Sequence, residues 1–158
     1  MEFDSEPNVV ISKDHDFIQL TGYTYTKVYN PGTKEFVSES VDPYKYICEH
    51  IMRGDKGDGI PNILSDDDTF VTDKRQKALT QVKIDALSQI PVNEWEDRKM
   101  ALGWTRNQTL IDFRFIPEDV KSKILIQYKQ QKSREGKKLF AYFSKYKLTK
   151  LLSKKDDF

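Results

Sequence analysis

The chain has 158 residues, of which 37% are hydrophobic and 32% charged, which suits one ordinary domain with its own core and a heavily charged surface. No apolar run approaches the ~20 residues of a membrane span, and the acidic start Met1-Glu2-Phe3-Asp4 has no basic-then-apolar signal pattern. Cys48 is the only cysteine, so an intrachain disulfide is excluded and a cytoplasmic setting is expected. The net charge of +1 conceals a division. Residues 1–120 carry 14 Lys and Arg against 22 Asp and Glu, whereas residues 121–158 carry 12 against 3. One part suits a cation and the other a polyanion.

In chain order, Val9-Val10-Ile11 reads as a short buried strand. It ends at Ser12-Lys13-Asp14, and in extended chain Asp14 and Asp16 point to the same face. Tyr23 to Tyr29, the turn signal Asn30-Pro31-Gly32-Thr33 and Lys34 to Glu39 predict a β-hairpin. Asp42 or Ser40 caps a helix with Pro43 in its first turn, Tyr44, Ile47, Cys48 and Ile51 at helical spacing, and Gly54 as its stop. Ile60-Pro61-Asn62-Ile63 is expected to start another short helix, after which Ser65 to Thr69 is an acidic loop. Residues 75–89 are expected to be helical, with Ala78, Leu79, Val82, Ala86 and Leu87 as the apolar stripe, and Glu94 to Leu102 forms a further helix stopped by Gly103. Gln108 to Pro117 reads as extended, residues 118–132 as a helix, and 136–152 as a basic final helical region.

Two motifs carry chemistry. In Ser12-Lys13-Asp14-His15-Asp16 the two carboxylates either reach one cation or sit in a solvated surface turn, and for His15 the solvated turn is the simpler reading. In Gly54-Asp55-Lys56-Gly57-Asp58-Gly59-Ile60-Pro61-Asn62 three glycines permit close approach of a ligand, and Asp55 and Asp58 would share one side of a helical turn. Exposed backbone N–H groups there can also hold a phosphate; the bland reading is an ordinary connection between helices. An EF-hand fails on spacing, and no Cys/His cluster supports zinc. His50 is expected at the surface or near a helix end, and Cys48 in the core. In the basic tail, Lys137, Lys138, Lys145, Lys147, Lys150, Lys154 and Lys155 alternate with Phe140, Tyr142, Phe143 and Tyr146. This is either an amphipathic helix with solvated lysines or a nucleic-acid contact.

Together the motifs resemble the 5′ nuclease family of flap endonucleases and 5′–3′ exonucleases. Its members show a strand ending in Ser-x-Asp-x-Asp-Phe-x-Gln-Leu, then Gly-Asp-x-x-Asp-x-Ile-Pro opening a helix–turn–helix DNA-binding module. Leu110 to Pro117 and the ending from Ala141 to Phe158 are similar to the closing segments of phage members, so the resemblance runs from about Val9 to Phe158. It implies an α/β fold truncated to mainly α: residues 1–41 as the remnant of the catalytic α/β domain with a short strand and β-hairpin, and residues 42–158 as a helical domain with a helix–turn–helix. It implies two Mg²⁺ or Mn²⁺ ions, with Asp14 near the first and Asp16, Asp55 and Asp58 serving the second. Lys13, Gly54, Lys56, Gly57, Gly59, Ile60 and Asn62 would lie against DNA. The implied substrates are flaps, nicked or gapped duplexes and the RNA of RNA–DNA hybrids in replication, and a phage-encoded chain would act in the host cytoplasm. Complete members carry a preceding half with further carboxylates, so the resemblance implies a C-terminal half that needs an N-terminal half, in trans, for activity. Two alternatives remain. One is a non-catalytic duplex-binding module; the other is an interaction fragment whose basic tail contacts a single-stranded-DNA-binding protein.

Overall fold

The structure, a computed structural model, describes residues 6–132 and 137–152. It is mainly helical, with a small three-stranded sheet near the N-terminus, and divides into two compact units, one ending at Phe115 and one beginning at Ile116. The boundary expected near residue 41 falls inside the first unit. Among the described residues no helix is long and apolar enough to cross a membrane.

In the first unit, β1 (Asn8–Ile11) pairs in parallel with β2 (Thr26–Asn30), and β2 pairs antiparallel with β3 (Glu35–Phe36). The predicted hairpin forms, and its turn is closed by Asn30, whose Oδ1 accepts from Gly32 N at 2.8 Å. β1 is a strand but is not buried: Val9 is 57% and Ile11 69% exposed. A short apolar run reports strand preference, whereas burial depends on what packs over it. Between β1 and β2 runs a 3-10 helix, His15–Gly22. Gln19 ties it to a distant segment, donating from Nε2 to Ile111 O (3.1 Å) and accepting at Oε1 from Phe113 N (2.9 Å). Phe17 meets Phe113 edge to face at 5.6 Å.

Helix α1 (Pro43–Arg53) starts and stops where expected. Asp42 accepts from Tyr44 N (2.9 Å) and Lys45 N (3.1 Å), which satisfies two of the orphan donors of the first turn. Ile47, Ile51 and Met52 face the core with Ile63, Ile84, Trp95 and Trp104. Gly54 ends the helix at φ 66°, a conformation that disfavours a side chain.

Between Gly54 and Phe115 several elements depart from expectation. No helix begins at Ile60: Asp55 and Ile60 form an isolated bridge, and the Pro61 carbonyl accepts from Arg106 Nη2 (2.8 Å) and Asn107 Nδ2 (2.9 Å) rather than from a helical N–H. The helix expected from residue 75 is only α2 (Gln81–Leu87), with Ile84 buried and Val82 79% exposed. Residues 76 and 77 are engaged elsewhere. Asn62 N donates to Gln76 Oε1, Lys77 N donates to Ser65 Oγ, and Lys77 O accepts from Asn62 Nδ2. Helix α3 (Arg98–Ile111) runs through Gly103 and over part of the segment expected to be extended, followed by one 3-10 turn, Phe113–Phe115. Gly103 is a packing residue, because a Cβ there would stand 2.6 Å from Ile63 O.

Asn107, fully buried on α3, donates to both Ile51 O (2.8 Å) and Pro61 O (2.9 Å), and so joins the end of α1 to the chain beyond the Gly54 turn. Asn107→Leu keeps the size but removes this donor from Ile51 O, leaves Pro61 O with Arg106 Nη2, and cuts the link between the two segments. The expected cost is about 2–4 kcal/mol, a fall in Tm of roughly 10 °C by calorimetry. An unchanged Tm would contradict this role.

The second unit comprises α4 (Glu118–Lys132), α5 (Lys137–Lys145) and α6 (Thr149–Leu152). The final basic region is interrupted. Leu148 N donates to Phe143 O (2.9 Å), and Lys147 sits at φ 55°, the left-handed stop that closes a helix. Lys154 and Lys155 lie outside the described residues.

Candidate metal centre

Three chain segments meet beside the C-terminal end of α1. The first carries Asp14 and Asp16. They are not alternate positions of an extended strand. Asp14 is the N-cap of the 3-10 helix, its Oδ1 accepting from Asp16 N at 3.0 Å, and Asp16 is in the first turn. The cap points the exposed Asp14 carboxylate at its own helix and leaves Asp16, half-buried, facing α1. The second segment is α1 itself, which presents His50 in its last turn. The third is the chain just past Gly54, whose reversal brings Asp55 back toward His50.

His50 Nε2 lies 2.9 Å from Asp16 Oδ1 and 3.7 Å from Asp55 Oδ2. One ligand atom from each of Asp16, His50 and Asp55 lies within 4.8 Å of the others, and among the described residues this group has the geometry to hold a metal ion. The three side chains keep 22%, 17% and 33% exposure, so an ion from solvent can reach them. Tyr46, one helical turn before His50, stacks on its ring with centroids 5.8 Å apart and planes at 18°.

The electrostatics are those of a negative pocket. Burial raises the Asp16 pKa above the usual carboxylate value; the nearby His50 opposes this, while Asp14 and Asp55 add to it. The Tyr46 phenol is likewise raised, first by burial and then by Asp16, Asp55 and Asp14. Two groups thus register the same excess of carboxylate, a setting that a cation relieves.

Asp58 is outside the cluster. Asp55 Oδ1 accepts from Gly57 N (2.7 Å) and Asp58 N (3.2 Å), and Ile60 N donates to Asp55 O (2.7 Å). This is a side-chain-closed turn rather than a helical one, so the spacing of three does not place Asp55 and Asp58 on one face. Asp58 is exposed to solvent.

The same hydrogen bonds revise the DNA-facing expectation. The N–H groups of Gly54, Gly57, Gly59 and Ile60 are engaged within the chain, by His50 O, Asp55 Oδ1, Lys56 O and Asp55 O respectively. Asn62 is 6% exposed, with Nδ2 on Lys77 O and Oδ1 receiving Leu64 N and Ser65 Oγ; it braces the turn from inside. Lys13 and Lys56 are exposed, as are Gly57 and Gly59, while Gly54 and Ile60 are half-buried. His15 is exposed, as a solvated turn requires. The acidic run is a surface loop, its Asp67 paired with Arg106 and its Asp68 with Lys74.

His50 is the residue that sequence reasoning placed apart from the site. The Asp42 cap put position 50 in the last turn of α1, next to Gly54-Asp55, but no local signal connects it with Asp16, which is 34 residues earlier.

Just past α3 a buried carboxylate is held by an ion pair. Asp112, its side chain 1% exposed, takes Nε of Arg114 at 2.9 and 3.0 Å and Nη2 at 2.6 Å. Burial pushes the Asp112 carboxyl up, but the Arg114 hydrogen bonds and charge together outweigh it and leave the pKa depressed. The pair's contribution is therefore present at neutral pH and lost as pH falls through the folded value. Arg114→Gln strands a buried carboxylate. It is expected to cost about 2–3 kcal/mol in urea unfolding at neutral pH, with the gap to wild type closing in acid. A gap that does not narrow in acid would contradict this pairing.

The family model described as "T4 RNase H, C terminal" matches residues 42–158. The chain is 29% identical, over 157 residues, to the protein named Ribonuclease H of Enterobacteria phage T4, an alignment covering 95% of this chain and 51% of that protein. The chain thus spans about half the length of the curated relative it matches.

Proposed function

We propose, from the premise that this chain belongs to the family of the T4 RNase H C-terminal domain, that it is the C-terminal half of a divalent-cation-dependent 5′ nuclease. The observation that carries this reading is the convergence of Asp16, His50 and Asp55. The donor set fits a single cation. Two carboxylates and an imidazole suit Mn²⁺, and Mg²⁺ with water completing its shell. A cation held there supplies Lewis acidity toward water and the scissile phosphodiester.

The residues' own tasks follow from their positions. Asp16 and Asp55 provide charge from two separate segments, and α1 fixes the imidazole between them. With Asp16 ionised, His50 Nε2 donates to it, so that proton occupies the place a cation would take. Because Asp16 is raised, protons compete with the cation at higher pH than for an ordinary carboxylate, and affinity falls on acidification. Tyr46 holds the imidazole plane by stacking. Asp14 stands at the edge, where it would serve a first cation together with carboxylates from the preceding half, and Asp58 would act from the solvent side of the second.

The substrate would be a 5′ flap, a nicked or gapped duplex, or the RNA of an RNA–DNA hybrid, held by its backbone with little sequence preference. Lys13 and Lys56, exposed and next in sequence to Asp14 and Asp55, would meet that backbone. The unit of α1, the turn after Gly54 and α3 would serve as the helix–turn–helix element, with Arg106 and Asn107 holding the turn. The test is cleavage of labelled 5′-flap duplexes and RNA–DNA hybrids by the chain combined with a preceding half of the same family. Short 5′ products that require Mn²⁺ or Mg²⁺ and disappear with chelator are expected. Cleavage indifferent to chelator, or none from the combined halves, would refute the reading.

A further inference from the structure

We propose that the outer face at the C-terminal end of α5 and the turn that follows it is a stacking platform for the bases of single-stranded nucleic acid, built from Tyr142 and Tyr146 with Lys145 and Lys147 beside them. The helix has two unlike sides. Phe143 is 6% exposed, whereas Tyr142 and Tyr146 are 55% and 54% exposed. The two tyrosines are one turn apart, their ring centroids 4.6 Å from each other and their planes tilted by 46°, so they form one aromatic surface rather than two isolated rings. Lys145 Nζ lies over the Tyr146 ring, 5.3 Å from its centroid, a cation–π contact that holds a phosphate-pairing charge against that surface. Lys147 follows in the left-handed turn that ends the helix.

Residues 121–158 carry 12 Lys and Arg against 3 Asp and Glu, a composition that favours a polyanion. The aromatic pair then chooses among polyanions. A duplex presents phosphates outward and keeps its bases stacked on each other, so exposed rings add little to duplex affinity. An unpaired strand offers free base faces, and each base stacked on an aromatic ring contributes substantially. The proposal deepens the nuclease reading by naming a strand, a flap or displaced single strand, that the chain would hold. Its binding is independent of the cation, so it can fail or succeed separately from that reading.

The experiment is fluorescence anisotropy of the full chain with labelled oligothymidylate of about 15 nucleotides and, separately, a blunt duplex, both in EDTA. Tyr142→Leu with Tyr146→Leu keeps a strong helix former at both positions. It should weaken single-strand binding about tenfold or more and leave duplex binding within about twofold. Tyr142→Phe with Tyr146→Phe retains the ring faces and should bind as wild type. Lys145→Gln with Lys147→Gln should weaken both ligands and flatten the salt dependence. The proposal is overturned if the leucine variant binds the single strand as wild type does. It is equally overturned if the phenylalanine variant loses as much as the leucine one, or if wild type has no single-strand affinity, in which case the surface faces a protein.

Discussion

Asp16→Asn is expected to remove cation binding and to lower cation-dependent cleavage by the reconstituted enzyme roughly 10²–10³-fold, while leaving the chain folded and more stable at neutral pH. The two effects share one cause. Asp16 is half-buried with Asp14 and Asp55 nearby, and burial together with those two carboxylates raises its pKa despite the opposing effect of His50. A raised carboxylate is penalised in the folded state when ionised. The penalty is present above the folded pKa and disappears as pH falls below the unfolded value. Asparagine lifts it, and its Oδ1 still accepts from His50 Nε2. The variant should therefore melt a few degrees above wild type near neutrality, by roughly 1–4 °C, with the advantage vanishing in acid. Calorimetry across pH reads this without any cation. A variant that melts lower at neutral pH, or that keeps full cleavage, would contradict the role assigned to Asp16.

Gly54→Ala should damage fold and site together. The new Cβ would fall onto the Ile60 carbonyl oxygen and within 2.6 Å of Pro61 O, both backbone atoms that cannot swing aside, at a residue already held at φ +66°. The expected destabilisation is about 3 kcal/mol or more, read in urea unfolding. Because Gly54 joins α1 to Asp55, relief of the clash displaces Asp55 from His50, and cation affinity should fall with stability. Gly59→Ala is the matched control. It has a comparable φ of +77° but nothing within 4 Å of the added atom, so it should cost only the backbone term, about 1–2 kcal/mol, and leave the cation alone. Equal losses in the two variants would show that close packing around Gly54 is not what matters there.

The parts of this molecule that could be read from sequence are those with local causes. Asp42 and Pro43 set the start of α1 and Gly54 its end because caps and left-handed stops act within a few residues. The turn after Asn30 announced β2 and β3 for the same reason. The parts that misled are those decided by distant partners. Gly103 resembled a helix stop, yet it is where Ile63 backbone crosses α3. Asn62 resembled a ligand-facing residue, yet Lys77, Leu64 and Ser65 take its side chain inward. Residues 76 and 77 lie in the segment expected to be helical but bond to Asn62 and Ser65. In the site, Asp16 and Asp55 were legible from their motifs. His50 was not, since its part comes from α1 packing against the 3-10 helix that carries Asp16. Asp58 has the motif spacing of a helical neighbour of Asp55, but the turn closed by Asp55 Oδ1 leaves it outside the cluster.

Whether Asp16, His50 and Asp55 form one cation site is read by NMR of the chain with substoichiometric Mn²⁺. Paramagnetic broadening is expected to centre on the amides of Asp16, His50 and Asp55, to be weaker at acidic pH and to be abolished by Asp16→Asn with Asp55→Asn. Broadening centred on the acidic loop from Asp66 to Asp68, or undiminished in the double variant, would contradict it.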